Sequence, residues 1–371
     1  MKKGLSILAV TSVLLTYTNA QVRLSGQAAA YGVKSDRSSA PRVVNKGKPT
    51  FGWRFDLFLD GRVTDNVVAL ANVRVFEDEE IYIDYLAIRI TDIAGPALNF
   101  QIGKFDMPFG NLDERRFPVK NFLFGLPLIY EYRMSMPNQV ITRADLLNNR
   151  GRGIGMRLID LGIYDIGAMV FGDVGRLHYA AAVSNGTISA TSNRQMNNNN
   201  DFNKIVRLAY TPMMGLTIGG AGAIGAYLVD SGIPLPRNKA IGDYLQKIGE
   251  VDIEFSRDRF LLNGEAVYSE WKVPLEDEDA NLSVIGYYGE AKYTWFPRFY
   301  TAARVSGLRF SQLYFDGVKR RWDYDMFEIE AGIGYFLDRN TLVKLVRRET
   351  CTLGGTDPHD DLTAIQFAVA F

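Results

Sequence analysis

The last ten residues alternate strictly, with Thr363, Ile365, Phe367, Val369 and Phe371 on one face and Leu362, Ala364, Gln366, Ala368 and Ala370 on the other. Successive side chains of a strand point to opposite faces, so this pattern suits a wall between lipid and a watery interior. It recurs upstream. Phe327, Ile329, Ala331, Ile333 and Tyr335 alternate with Glu328, Glu330, Gly332 and Gly334, and Val251, Ile253 and Phe255 alternate with Glu250, Asp252 and Glu254. Carboxylates at every second position need water, because burying an unpaired charge is very costly. Near the start, Phe51, Trp53, Phe55, Leu57 and Leu59 alternate with Gly52, Arg54, Asp56, Phe58 and Asp60.

The alternation predicts sixteen strands over 22–32, 51–60, 64–76, 81–91, 97–105, 153–171, 175–185, 203–211, 216–228, 243–256, 259–271, 282–294, 298–309, 322–336, 340–350 and 362–371. The segment 153–171 is read as one strand with a local irregularity, since Ile154, Met156, Leu158, Tyr164, Ile166, Ala168 and Val170 share one parity. Brief connections such as Arg257–Asp258 and Leu337–Arg339 alternate with longer ones at 33–50, 107–152, 186–202, 229–242, 272–281, 310–321 and 351–361; only 77–80 is short on the long-loop side. Short turns on one side and long loops on the other belong to membrane barrels with an even strand number. A chain that crosses hydrocarbon must pair every backbone N–H and C=O, and closure does this. The expected fold is therefore all-β, a transmembrane antiparallel β-barrel over 21–371. Phe367, Val369 and Phe371 are expected to form its insertion signal, and Phe296, Phe299, Tyr300, Tyr335 and Phe336 to lie in an aromatic girdle.

Residues 1–20 carry Lys2 and Lys3, an apolar stretch from Leu5 to Leu15 and small residues up to Ala20, which is the form of a secretory signal peptide. The apolar stretch is too short to span a bilayer as a helix, which takes about 20 residues. Without Lys2 and Lys3 the chain holds 40 basic and 42 acidic residues, a net of −2, with no footprint for nucleic acid. One cysteine, Cys351, rules out an intrachain disulfide. No cofactor and no metal centre are expected, although the Asp/His cluster at 357–361 could hold a divalent cation through its carboxylates. No catalytic constellation is visible. The partners implied are outer-membrane lipid, lipopolysaccharide and the barrel-assembly machinery, with the cell outer membrane as location.

Sixteen strands enclose an aqueous lumen. The segment 107–152 is too long for an ordinary connection and pairs the charged run Asp113-Glu114-Arg115-Arg116 with the apolar run 122–128. It is expected to fold inward as a constriction loop with Arg115 and Arg116 towards the passage. Early strands are expected to line the lumen with Arg54, Arg74, Arg89 and Lys104, and later strands with Glu250, Asp252, Glu254, Glu290, Glu328 and Glu330. These charges would set a transverse field on a solute or form structural ion pairs.

Gly103-Lys104-Phe105-Asp106-Met107-Pro108-Phe109-Gly110, Tyr179 to Gly186, and Arg207-Leu208-Ala209-Tyr210-Thr211-Pro212 resemble segments of the porins related to phosphate- and polyphosphate-selective (O/P-type) outer-membrane channels. The resemblance covers most of the mature chain as an order of strands, with its specificity in these motifs. It implies a passive, often homotrimeric channel with an infolded third loop. It does not carry the substrate across, because the arginine ladder of the phosphate-selective members has no counterpart here. A scaffold or sheath barrel around an electron-carrying partner, or a structural or adhesive barrel, fits the same pattern, although no Cys-x-x-Cys-His haem motif is present.

Overall fold

The computed structural model describes residues 21–35, 48–76, 80–160, 163–191, 201–229, 234–236, 238–275, 278–315, 317–355 and 361–371. The signal peptide and most of the Asp/His cluster at 357–361 lie outside the described residues. Nineteen strands are present among those described: β1 (Gln21–Ser35), β2 (Thr50–Arg62), β3 (Val67–Phe76), β4 (Ile81–Ile90), β5 (Ile93–Pro96), β6 (Asn99–Asp106), β7 (Tyr164–Val174), β8 (Leu177–Ser184), β9 (Asn203–Met213), β10 (Leu216–Ala226), β11 (Leu245–Arg257), β12 (Phe260–Leu275), β13 (Glu278–Phe296), β14 (Phe299–Phe310), β15 (Gln312–Phe315), β16 (Val318–Arg321), β17 (Asp325–Phe336), β18 (Thr341–Leu353) and β19 (Leu362–Ala370). Sixteen of them form one closed antiparallel barrel, in which β1 pairs with both β2 and β19. The short β5 stands outside the ring, and β15–β16 is a separate hairpin in the loop before β17.

Each expected strand has a counterpart in the ring. At one end, two-residue turns join β7–β8, β9–β10, β11–β12 and β13–β14, a geometry that calls for positive φ. Gly215 supplies it at +82°, and Asp258 and Arg298 adopt it as non-glycine residues at +53° and +76°. Large apolar side chains cover the outside, among them Ile253, Ile285, Ile329, Ile333, Ile365 and Phe367. At the seam the Phe371 N–H donates to the Gly26 carbonyl at 2.9 Å and the Phe371 carbonyl oxygen accepts from the Gly26 N–H at 2.9 Å, while the ring stacks on Phe55 with centroids 6.2 Å apart.

The structure corrects several expectations. The proposed strand 153–171 begins only at Tyr164. Residues 153–160 are loop, anchored by the isolated Arg133–Arg157 bridge, and Ile163 has a left-handed φ of +41°. Of the parity shared there, Met156 and Leu158 pack into the apolar cluster of the loop, while Ile154 is exposed. The long connection expected at 272–281 shrinks, because β12 and β13 stay paired as far as Leu275 and Glu278. In the aromatic girdle, Phe296 and Tyr335 are exposed, whereas Tyr300 is buried and its hydroxyl donates to the Phe122 carbonyl at 3.1 Å. Phe336 packs with Tyr300. Adjacent residues of a strand cannot share a face, so Phe299–Tyr300 and Tyr335–Phe336 had to divide between lipid and lumen.

Candidate constriction and lumen

The chain between β6 and β7 lies against the inner wall. Its middle is apolar: Leu128, Ile129, Tyr130, Met134, Met136, Leu146, Leu158 and Ile159 are buried. They share one cluster with Trp271, Val273, Leu282, Val284, Leu308, Phe310 and Trp322, and most of those wall residues lie at the loop ends of β12–β14. Two short helices, Leu128–Glu131 and Arg143–Asn148, form in this segment, the second capped by Thr142, whose side chain accepts from the Asp145 N–H. Apolar surface removed from water in this contact, at roughly 25 cal/mol per Å², works against the entropic cost of ordering the loop.

Polar ties fix its position. Tyr130 donates to Glu265 Oε2 at 2.7 Å. Arg348, 2% exposed, donates to Glu131 Oε2 at 3.0 Å and to the Phe124 carbonyl at 2.6 Å. The Phe124 N–H donates to Glu330 at 2.9 Å, and Lys344 Nζ reaches the Pro118 and Asn121 carbonyls at 3.0 and 2.5 Å. At the outer end the Asp323 carboxylate accepts from the Ser135, Tyr324 and Gly151 N–H groups at 2.7, 2.8 and 3.2 Å and from the Tyr132 hydroxyl at 3.2 Å. Burial raises the Asp323 carboxyl to about 6, against the opposing pull of those donors.

The 3-10 turn Asp113–Arg116 reaches opposite sides of the ring. Arg115 forms an ion pair with Glu290 on β13 and donates to the Tyr288 hydroxyl at 3.2 Å. Arg116 holds Asp106 at the end of β6 through two bonds of 2.5 and 2.9 Å, while Arg54 on β2 donates to the Arg116 carbonyl at 3.2 Å. Two adjacent guanidiniums thus pull one turn towards far walls. Gly110 accommodates the close approach: its φ is +75°, and a Cβ there would stand 2.3 Å from the Tyr130 hydroxyl.

The other expected lumen charges divide into groups. Arg54 is bound to Asp56 at 2.8 Å and Arg74 to Asp84 at 3.0 Å. Glu250 and Asp252 share Arg207 at 2.5 and 2.8 Å. Glu290 and Glu330 both pair with Arg304, and Glu328 accepts from Ser306 and Thr350 at 3.3 Å each. The acidic side of the lumen is therefore a network of ion pairs and loop anchors. Glu254 is exposed on the same face as Glu250, near the turn end of β11. Arg89 donates to Gln101 Oε1 at 2.7 Å and to the Tyr85 hydroxyl at 3.1 Å. Lys104 departs from expectation. It pairs in register with Leu86 and Ile166, both exposed on the outside, so it stands on the outer face with Nζ 2.6 Å from the Ile83 carbonyl. Its parity matched Ile102 and Phe100, and that signal was legible in the sequence.

A cavity of about 480 Å³ remains beneath the loop, bordered by Tyr85, Arg89, Gln101, Arg116, Phe171 and Arg207 among others. Arg116 borders this space; Arg115 does not.

No protein-family profile matches the chain. No curated protein matches it in sequence. Solved structures do resemble it in fold. The anion-selective porin from Comamonas acidovorans superposes with a TM-score of 0.62 at 11% identity, over 95% of this chain and 100% of that one. The Salmonella typhi OmpF complex with daunomycin gives 0.60 at 13% identity, covering 94% and 97%. The outer-membrane channel DcaP of Acinetobacter baumannii gives 0.58 at 10% identity, covering 95% and 97%. The chain has the closed 16-stranded fold of bacterial outer-membrane porins.

Proposed function

We propose that this protein is a porin of the cell outer membrane that lets small hydrophilic solutes or ions diffuse passively. The observation that carries the reading is the turn Asp113–Arg116, tied by Arg115 to β13 and by Arg116 to the end of β6, above a polar cavity inside a closed barrel. A narrowed, charge-lined passage of this kind acts strongly on a partly dehydrated ion. The phosphate-selective subtype gains no support, because the lumen arginines other than Arg89 named above carry acidic partners. A homotrimer belongs to the same reading. On the outer face of β10–β13, Gly222 pairs in register with Gly249 and Gly264 with Gly289, so side chains are short there and another wall can approach. The sheath reading is weakened by the loop residues that already fill the space a partner would need. The test is reconstitution of the purified barrel in planar bilayers. Discrete steady conductance in potassium chloride is expected, and its absence in several electrolytes overturns the proposal.

A further inference from the structure

We infer that the cavity beneath the loop binds an organic monocarboxylate with a ring-sized apolar body, and that Arg89 holds the carboxylate. The inference deepens the porin reading, on which it rests for the ligand's way in.

The cavity has four basic side chains on its border, Arg89, Arg116, Arg207 and His178. Three of them face acids: Arg116 holds Asp106, Arg207 holds Glu250 and Asp252, and His178 pairs with Asp173. Arg89 has only neutral partners among the described residues, the Gln101 amide oxygen at 2.7 Å, the Tyr85 hydroxyl at 3.1 Å and the face of the Phe171 ring at 5.5 Å. A guanidinium carries five N–H donors in a rigid fork, and these contacts use two of them. The remainder suit the paired oxygens of a carboxylate. Gln101 and Tyr85 fix the fork in place, so little side-chain freedom is lost when a ligand arrives. A partly buried, uncompensated charge raises the free energy of the empty site, and an anion lowers it.

The rest of the lining sets the body of the ligand. Phe109, Met169 and Phe171 offer apolar surface, and about 480 Å³ is near the lower end of the range for small-molecule sites. Arg89 is the basic side chain on this border that faces no acid among the described residues, so one carboxylate group is matched to it. Inorganic phosphate would leave the apolar surface unused and bring more charge than Arg89 balances.

Calorimetric titration of the detergent-solubilised barrel with benzoate tests this, with acetate, benzyl alcohol and inorganic phosphate as comparison probes. Benzoate is expected to bind at least tenfold more tightly than any of the three. Arg89→Gln should weaken benzoate about tenfold, and Arg89→Lys should recover part of that loss, with heat-modifiable gel mobility confirming that each barrel is folded. Equal affinity of benzoate for Arg89→Gln and the native protein, or tighter binding of phosphate or benzyl alcohol, overturns the site. Because binding is read in detergent, its outcome is separate from bilayer conductance. A barrel that binds benzoate but does not conduct refutes the channel, whereas one that conducts and ignores benzoate refutes the site.

Discussion

Replacing Arg348 with methionine should release the inner loop while leaving the wall intact. Arg348 is 2% exposed and joins β18 to the loop through Glu131 at 3.0 Å and the Phe124 carbonyl at 2.6 Å. Methionine fills similar space but takes the guanidinium from Glu131 and the donor from the Phe124 carbonyl, and it also removes the Arg348 contacts to Glu328 at 3.8 Å and Glu330 at 3.5 Å. Removing one partner of a buried ion pair costs about 3–5 kcal/mol. Glu131 keeps its bond from the Leu126 N–H, which favours the lower end, about 3 kcal/mol. At one decade per 1.4 kcal/mol, the population of undocked loop should rise about a hundredfold. The barrel itself should persist, because β18 stays hydrogen-bonded to β17 and β19 and Glu330 retains Arg304. When opening and closing are fast, proteolysis tracks the open population. Limited proteolysis in detergent should therefore cut between 107 and 163 about a hundred times faster in Arg348→Met than in the native protein. Adding Glu131→Gln should give less than the sum of the two single effects, since both act on one contact. A cleavage rate within threefold of native, with unchanged heat-modifiable mobility, would refute the claim that this ion pair holds the loop.

Acid should tighten the same docking. Asp323 titrates near 6 when the loop is docked and near its ordinary 3.8 when released, so the docked state binds more protons between those values. Its contribution is fully present below the released value and is lost as pH rises through 6. Proteolysis of the loop should slow about tenfold from pH 7.5 to pH 5, and Asp323→Asn should abolish that dependence; faster cleavage in acid would contradict the sign. Deleting Phe371 removes both seam hydrogen bonds to Gly26 and the stack on Phe55, and should lower the amount of folded barrel in outer-membrane fractions severalfold, measured by heat-modifiable gel mobility. Equal amounts would show that the seam does not need its last residue.

The sequence by itself determined the barrel: period-two alternation needs only local information, because a strand's two faces follow from backbone geometry. Strand order around the ring also follows, since short turns leave sequential strands no other neighbours. Even the inward contact of the loop had a signal. Trp271, Val273, Leu282, Val284, Leu308 and Phe310 break the apolar-out, polar-in rule by placing large apolar groups on the lumen face. What only the tertiary structure decided is which charges meet. Arg115, Arg116 and Arg348 find carboxylates 175, 10 and 217 residues away, through contacts that no spacing encodes. The same holds for Arg89, whose want of an acidic partner among the described residues depends on side chains from β4, β6 and β7 meeting around one cavity. Strand pattern fixes the face on which a charge stands, but its partner is set by barrel closure and by the path of the loop across the lumen.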